Sequence, residues 1–321
     1  MKAGIGTPDG LAIRDVPVPQ PKPNEVLVRV RAAGLNRADL NAAKAAGGHG
    51  RPENPIGLEW AGEVNEVGAE ATDIKVGDRV LCSGTGSYAE LAVCDRGRLW
   101  PMPANGMSWE EAGSLPLALL TMHDAIATNG RLKPGESVLI QGASSGVGLM
   151  GLMIAKHMGA GLVIGTSTND ARRQRLKEFG ADLALDSRDP EWPEQVQKAT
   201  GGKGVNLIVD MISGPVANQN MKAAAVLGRI VNVGRLGGLR AEFDFDLHAL
   251  KRIAYVGVTF RTRSVDEVRE IVRRMRADLW DAVAAGKLRL PIDRTFPLAE
   301  APAALAYMRS NAHFGKIVLT M

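Results

Sequence analysis

The sequence predicts an α/β protein in which a doubly wound parallel sheet is inserted into a β-rich domain formed by both chain ends. Near residue 119, short strands bounded by Gly and Pro give way to apolar strands that alternate with helix-length segments. A glycine-rich turn joins a buried strand to a helix within residues 137–158, and strand patterns return after residue 290. We therefore expect one domain at 119–263 and a split domain made of 1–118 and 264–321.

The composition is that of a folded protein from a reducing compartment. With 321 residues, 45% of them hydrophobic, the chain can bury a core in each of two domains. Its net charge of +4 is spread along the chain, and the basic run at 269–276 has the helical spacing of a solvated helix face, so no nucleic-acid partner is expected. Cys82 and Cys94 are too few for a disulfide framework, although they leave a single bridge open.

Targeting and membrane segments are not predicted. The N-terminus lacks the apolar core of a signal peptide, and no stretch approaches the roughly 20 apolar residues of a membrane helix. We expect a cytoplasmic protein without a membrane partner.

The first hundred residues carry four predicted strands, each a short β-type run with turn-forming residues at its ends. They are 26–31, 61–67, 78–82 and 88–93. The first of them approaches strict alternation of apolar side chains, which is typical of a half-buried strand.

Residues 119–263 alternate strands and helices, which predicts βαβ units around a parallel sheet. The predicted strands are 137–141, 162–166, 207–210, 229–233 and 254–260, and the predicted helices are 147–158, 170–178, 191–200 and 216–225. In the tail we expect an Arg-rich helix to about residue 285, a strand at 290–296, a helix after 299 and a strand at 315–319. This tail would pair with the first domain.

The turn after strand 137–141 predicts a dinucleotide site. Its small residues let the backbone approach a pyrophosphate, whose charge can meet N–H groups at the helix N-terminus. The order of strand, turn and helix carries this prediction, because the string G-x-G-x-x-G at 146–151 is weak alone. A tight turn with nothing bound is the alternative. We expect the cofactor contacts to be Ser144, Ser145, Gly146, Val147 and Gly148.

The end of strand 162–166 favours NADPH over NADH. Enzymes that use NAD place Asp or Glu there to bind the ribose 2′-hydroxyl, whereas residues 166–169 of this chain contain no carboxylate. Ser167 can donate a hydrogen bond, and Arg172 can pair with a 2′-phosphate. Asp170 weakens this preference slightly, and it is also a candidate N-cap of the next helix.

Six motifs follow one another along nearly the whole chain. They are Gly-Leu-Asn-Arg-Ala-Asp-Leu at 34–40, Gly-Leu-Glu-Trp-Ala-Gly-Glu-Val at 57–64, Lys-Val-Gly-Asp-Arg-Val at 75–80, Lys-Pro-Gly at 133–135, Gly-Val-Gly at 146–148 and Gly-Lys-Ile-Val-Leu at 315–319. In this order they resemble the medium-chain dehydrogenase/reductase superfamily, and within it the zinc-free quinone oxidoreductases. The resemblance implies a Rossmann fold for the doubly wound domain and a GroES-like fold for the catalytic, β-rich domain.

The zinc ligands of the related alcohol dehydrogenases are replaced in this sequence. They would fall at Asn36, where those enzymes use Cys, and at Leu58, where they use His. An amide and an isobutyl group cannot replace a thiolate and an imidazole on zinc, and the four-cysteine lobe is missing, so we expect no metal. Without a Lewis acid, hydride delivery to an electrophilic acceptor is favoured over alcohol oxidation.

The resemblance also implies individual site residues. Asn36 and Thr121 would lie beside the nicotinamide as catalytic residues, and the remaining cofactor contacts would be Val233, Gly234, Phe260, Arg261 and Lys316. Simpler alternatives are a helix cap for Thr121, strand core for Phe260 and a solvated side chain for Lys316.

The proton donor is less well defined. Some relatives carry a tyrosine after the Asn36 motif, where this chain has Asn41. His49 is then the candidate donor, because an imidazole titrates near neutral pH, and solvent is the alternative.

These observations predict an NADPH-dependent quinone oxidoreductase. Reduction of an activated C=C bond, as in an enone, enoyl thioester or haloacrylate, is the second hypothesis. A non-catalytic sensor, structural protein or RNA binder is the third, although 4% aromatic residues argue against RNA binding. The long apolar strand at 253–260 predicts a sheet edge that needs protection, and its pairing in relatives predicts a homodimer.

Overall fold

The computed structural model describes residues 1–44 and 54–321. Contacts between residues group the chain into unit 1, Met1–Leu117 with Ser264–Met321, and unit 2, Ala118–Arg263. None of the helices in the described residues combines the length and apolar character that a membrane crossing requires.

The strands are, in chain order, β1 Lys2–Thr7, β2 Gly10–Asp15, β3 Glu25–Gly34, β4 Glu59–Val67, β5 Arg79–Ser83, β6 Leu91–Asp95, β7 Leu99–Pro101, β8 Ser137–Gln141, β9 Leu162–Thr166, β10 Leu183–Leu185, β11 Val205–Asp210, β12 Ala224–Asn232, β13 Ala254–Gly257, β14 Ile292–Pro297 and β15 Lys316–Thr320. The helices are α1 Asp39–Ala42, α2 Trp109–Gly113, α3 Pro116–His123, α4 Gly146–His157, α5 Asp170–Arg175, α6 Trp192–Ala199, α7 Ala217–Ala223, α8 Phe245–Lys251, α9 Val265–Ala284 and α10 Ala301–Arg309.

Unit 1 is built on a mixed sheet in which the last strand of the chain lies beside an early one. The order is β14-β15-β3-β4-β5-β7, with β6 also paired to β3, and β1 and β2 form a separate antiparallel pair. Strand β15 runs antiparallel to β3, so that Val318 faces Gly34. The apolar face of this sheet packs around fully buried residues such as Trp60 and Tyr88. The two ends of the chain therefore share one core.

Unit 2 is a six-stranded parallel sheet in the order β10-β9-β8-β11-β12-β13. Numbered from β8, this is the doubly wound order 3-2-1-4-5-6, which has its switch point between β8 and β11. Ligands of such sheets bind at the carboxyl ends of the strands. The predicted α/β fold class is confirmed by the parallel sheet of unit 2 and the β-rich sheet of unit 1.

Several predicted elements were too long, and in two of them the sheet shows why. The strand predicted at 254–260 ends at Gly257, because its neighbour β12 ends at Asn232, the residue paired with Gly257. The helix predicted at 216–225 ends at Ala223, because Ala224 pairs with Val205 and enters the sheet.

Candidate active site

The glycine-rich turn of unit 2 closes tightly between β8 and α4. Ser145 is the N-cap of α4: its Oγ accepts a hydrogen bond from Gly148 N at 3.1 Å and donates to Gly142 O at 3.1 Å. A Cβ on Gly148 would lie 2.6 Å from Gly142 O, so that only glycine fits there. Gly142 itself has φ +74°, which glycine adopts without strain.

This turn fits the pyrophosphate of a dinucleotide. The N–H groups of Gly146 and Val147 lie in the first turn of a 12-residue helix, where no intrahelical carbonyl is available to them. The turn between Gly142 and Gly148 carries no charged side chain, and Gly148 packs directly against the backbone of Gly142 and Ala143. Backbone donors and the helix dipole together suit an anion.

Ser167, expected near the adenine ribose, lies against Ser144 of the glycine turn. The Oγ atoms of Ser144 and Ser167 are 2.9 Å apart, and this contact joins the glycine turn to the end of β9. Ser167 is almost fully buried, and its Oγ also accepts from Asn169 N at 3.3 Å. The group that follows β9 is therefore a hydroxyl, that of Ser167, in contact with a second hydroxyl, that of Ser144, rather than a carboxylate.

The start of α5 resolves the ambiguity over Asp170. Asn169 is the N-cap, since its side chain accepts from Arg172 N at 3.0 Å, so the candidate cap Asp170 is not the cap. The Asp170 carboxylate accepts instead from Arg173 at 2.6 Å and from Gln174 at 3.1 Å. The Asp170 carboxylate is thus occupied by residues of its own helix. Arg172 lies half-buried in the first turn of that helix.

The backbone polar groups just after β12 are hydrogen-bonded within unit 2. The N–H groups of Val233 and Gly234 both donate to Asp210 O, at 2.8 and 3.1 Å. Gly234 O accepts from Ser213 Oγ at 2.7 Å, and a Cβ on Gly234 would lie 2.7 Å from Met211 O. Gly234 is therefore packed against Met211, and both its N–H and its carbonyl are bonded within unit 2.

The other predicted residues of unit 2 lie outside strands. Thr121 is half-buried on α3. Phe260 follows the end of β13, which excludes the alternative that it is strand core, and Arg261 is exposed. Arg263, which was not predicted, pairs with Asp124 at 2.6 Å, and its guanidinium lies 5.9 Å from the Phe260 ring centroid.

Unit 1 contains a buried polar cluster that consists of Asn36, Asp39, Glu59, Tyr88 and Lys316. The Lys316 ammonium donates to Glu59 Oε1 at 2.5 Å, to Leu35 O at 2.8 Å and to Asn36 Oδ1 at 3.0 Å. Lys316 is only 3% exposed, so the alternative of a solvated lysine is excluded. All three of its N–H groups are directed into the protein.

Asn36 is held in one amide orientation by this cluster. Its Nδ2 donates to Glu59 Oε1 at 2.9 Å and to Gly34 O at 3.3 Å, and its Oδ1 accepts from Lys316. A Cβ on Gly34 would lie 2.5 Å from Glu59 Oε1, so the glycine makes room for the carboxylate. With both N–H groups used, Asn36 can serve a ligand only through the second lone pair of Oδ1.

Asp39 adds a second carboxyl group to the cluster. Its Oδ2 accepts from Asn36 N at 2.7 Å and from Tyr88 OH at 2.9 Å, whereas its Oδ1 has no hydrogen-bond partner in the described part of the chain. Burial raises the pKa of Asp39 to about 7. The Lys316 ammonium pairs with Glu59, whereas Asp39 feels its charge without a direct contact, so near neutral pH Asp39 can hold a proton.

Glu59 and Asp39 were not predicted as site residues. Glu59 lies in the motif at 57–64 and Asp39 in the motif at 34–40. For Glu59 the available signal was a charged residue within the apolar run Leu58-Glu59-Trp60-Ala61. Buried acidic residues require partners, which a sequence does not identify. His49, the candidate proton donor, lies outside the described residues. Within 1–44 and 54–321, no group of three or more His, Cys, Asp or Glu side chains could hold a metal ion.

Two family profiles match the sequence. A profile described as "Zinc-binding dehydrogenase" matches residues 146–277, and "Alcohol dehydrogenase GroES-like domain" matches residues 22–104. One component of the phenolphthiocerol/phthiocerol polyketide synthase of Mycobacterium tuberculosis is 31% identical over 317 residues. That alignment covers 98% of this chain but 14% of the synthase component, so the chain spans a small part of this relative's length.

Solved structures share the architecture over the whole chain. The quinone oxidoreductase of Pseudomonas syringae pv. Tomato DC3000 is 27% identical with a TM-score of 0.87, and the alignment covers 100% of this chain and 99% of that one. The mycobacterial protein Rv1454c, solved in complex with NADPH, is 27% identical with a TM-score of 0.88 and full coverage of both chains, 100% each.

Proposed function

Because this chain belongs to the zinc-free quinone oxidoreductase family of the medium-chain dehydrogenases/reductases, we propose that it transfers a hydride from NADPH to a quinone without a metal. As a member of that superfamily it is an NAD(P)-dependent oxidoreductase. Residues of unit 2 support NADPH as the hydride donor, and residues of unit 1 support an electrophilic acceptor such as a quinone.

NADPH is supported by the end of β9. Ser167 stands where a carboxylate would select NADH, with Ser144 Oγ beside it, and the nearby carboxylate of Asp170 is engaged by Arg173 and Gln174. We assign the 2′-phosphate to Ser167 and Arg172 and the pyrophosphate to the turn at 144–148. The NADPH complex of the mycobacterial relative is consistent with this assignment.

The proposed type of reaction rests on the Asn36 side chain, whose amide is held in one orientation by its hydrogen bonds. In the zinc enzymes this position holds a thiolate ligand, but here Glu59, Gly34 and Lys316 use both of its N–H groups and one lone pair. Such a group can accept a hydrogen bond but cannot polarise an alcohol as a Lewis acid does. A reaction that needs only positioning, with an acceptor that is already electrophilic, fits this residue best.

Each residue then has a limited role. When bound, NADPH supplies the hydride. In unit 1, Asn36 Oδ1 would accept a hydrogen bond from the carboxamide of a nicotinamide or from a product hydroxyl. In unit 2, Thr121 would be a nicotinamide contact. The side of the cofactor site in unit 2 would be formed by Val233, Gly234, Phe260 and Arg261. Lys316 acts through Asn36 rather than on the cofactor. A quinone becomes a hydroquinone by gaining one hydride and one proton, and His49 or solvent supplies the proton.

A second candidate is the reduction of an activated C=C bond such as an enoyl thioester. It is favoured by the polyketide synthase relative, whose match covers 98% of this chain. The same cofactor contacts serve both reactions, so the choice depends on the acceptor.

An acceptor screen separates these functions. After titration with NADPH and NADH, steady-state rates are measured with 1,4-benzoquinone, 9,10-phenanthrenequinone, 2-alkenals and an enoyl thioester. Preference for the quinones supports the first proposal, and preference for the alkenes supports the second. Tight NADPH binding with no turnover on any acceptor would instead indicate a non-catalytic NADPH-binding protein.

We also propose that the chain forms a homodimer across β13. This strand lies at the edge of the unit 2 sheet, where backbone groups are open to pairing, and it is only four residues long. Light scattering at micromolar concentration tests this, and a monomer mass contradicts it.

A further inference from the structure

Ser213 adopts a backbone conformation that serine normally avoids. Its φ of 56° and ψ of −152° fall in a region that is essentially restricted to glycine. The residue lies three positions after the end of β11, on the carboxyl edge of the parallel sheet in unit 2. Strained residues persist only where their surroundings hold them, and they concentrate at functional sites.

Four hydrogen bonds hold Ser213 in place, one of which is accepted by its carbonyl from Val216 N at 3.2 Å. Its N–H donates to Asp210 Oδ1 at 2.9 Å, and its Oγ donates to Gly234 O at 2.7 Å. The same Oγ accepts a hydrogen bond from Asn232 Nδ2. The serine side chain therefore ties the segment after β11 to the segment after β12, and a glycine would relieve the strain but lose this tie.

The tie is continued by backbone contacts. Gly237 N donates to Ile212 O at 2.7 Å, and Leu236 N donates to Met211 O at 3.2 Å. Residues 211–214 and 233–238 thus run side by side as one wall, and Ser213 is the point where a side chain fixes their separation.

Ser213 is also connected to the glycine turn through buried side chains. Asp210, which holds the Ser213 N–H, is fully buried and has no cationic partner in the described residues. Successive hydrogen bonds of 2.6–3.0 Å lead from Asp210 through Asn220, Gln141 and Thr166 to the N–H of Gly142. The strained residue and the pyrophosphate turn therefore belong to one network along the ends of four strands.

We propose that Ser213 is a positioning residue for the dinucleotide: its hydroxyl holds the Gly234 carbonyl and so sets the wall that receives the cofactor. This inference rests on the proposed binding of NADPH at the carboxyl edge of unit 2. Glycine at position 213 would relieve the backbone strain and increase the free energy of unfolding. Serine is present instead because its hydroxyl holds residues 211–214 and 233–238 in the arrangement that binds the cofactor.

The test compares Ser213→Gly with Ser213→Ala. Glycine removes both the strain and the hydroxyl, whereas alanine removes the hydroxyl and keeps the strain. The measurements are the melting temperature and the Kd for NADPH, read by fluorescence without any acceptor. We expect Ser213→Gly to melt at or above the wild-type temperature and yet to bind NADPH about tenfold more weakly, as for the loss of one hydrogen bond. Ser213→Ala should lose both stability and affinity.

A matched control is Arg252→Gly. Arg252 is exposed and also has a positive φ, 50°, at the end of α8. Its replacement should leave the melting temperature equal or higher and the Kd for NADPH unchanged.

Two results would overturn the assignment of Ser213. One is a Kd of Ser213→Gly within about twofold of the wild-type value. The other is a loss of melting temperature in Ser213→Gly equal to that of Ser213→Ala, because the hydroxyl would then be structural. If the wild-type chain fails to bind NADPH, the proposed function and this inference fall together, whereas wild-type binding with an unaffected Ser213→Gly removes the inference alone.

Discussion

Replacement of Lys316 by Met should strongly destabilise unit 1. Lys316 is 3% exposed, and its ammonium lies 2.5 Å from the carboxylate of Glu59, which has no exposure at all. Without it, Glu59 keeps the N–H donors of Asn36 and Leu117, at 2.9 and 2.7 Å, against a buried negative charge. Removing one partner of a buried ion pair costs about 3–5 kcal/mol, a large share of a typical free energy of unfolding of about 5–15 kcal/mol.

The size of this effect can be separated from lost packing by a double-mutant cycle. Glu59→Gln keeps an oxygen that can accept from Leu117 N and removes the charge, so the double variant Lys316→Met/Glu59→Gln should be more stable than Lys316→Met alone by about 2 kcal/mol. The exposed Lys75 is the matched control, and Lys75→Met should change stability by less than about 0.5 kcal/mol.

Urea unfolding followed by tryptophan fluorescence is the appropriate assay, because Trp60 and Trp100 are fully buried in unit 1. Thermal melting should show a decrease for Lys316→Met of roughly 6–20 °C, at about 2–4 °C per kcal/mol. A loss below about 1 kcal/mol, or single effects that simply add in the double variant, would refute the view of Lys316 and Glu59 as a coupled buried pair.

Three further predictions concern the cofactor turn and the buried acid. Arg172→Ala should weaken NADPH by about tenfold or more in a fluorescence titration and leave NADH nearly unchanged, with Arg175→Ala as the control; equal losses for both cofactors would contradict a 2′-phosphate role. Gly148→Ala should abolish NADPH binding, because its Cβ would lie 2.6 Å from Gly142 O, and wild-type affinity would refute the tight turn. The pKa of Asp39 is raised to about 7 in the native chain, whereas in the unfolded chain this carboxyl loses its proton near pH 4. The free energy of unfolding should therefore decrease by about 4 kcal/mol as the pH rises from about 4 to 7. Asp39→Asn should flatten that part of the pH curve in urea unfolding, and an unchanged slope would exclude Asp39 as its source.

The strands that the sequence predicts best are those in the middle of the parallel sheet. The predicted ranges 137–141 and 162–166 agree with β8 and β9 at both ends. Such strands are buried on both faces, and they appear in a sequence as continuous apolar runs between turn residues. Strand β10, of only three residues, was not predicted, because a short edge strand is defined by its pairing with β9 rather than by its own pattern.

The polar cluster of unit 1 illustrates what a sequence motif leaves open. Lys316 and Glu59 are 257 positions apart, and Glu59 and Asn36 are 23 apart. They meet because β15 and β4 lie on either side of β3, which places the ends of three strands together. The residue types in each motif were visible, but the identity of their partners depended on the order of strands in the sheet.

The residue pattern is enough to predict the α/β class and a glycine turn suited to a dinucleotide, and the resemblance to the medium-chain family predicts that both zinc ligands are replaced, at Asn36 and Leu58. These depend on local periodicity and on the chemistry of single side chains. Only the tertiary structure decided that Lys316 is buried against Glu59, that Asn36 has one lone pair left to offer, and that Ser213 is strained. The physical reason is that hydrogen bonds and desolvation act between groups distant in the chain, and their partners exist only after the strands have paired.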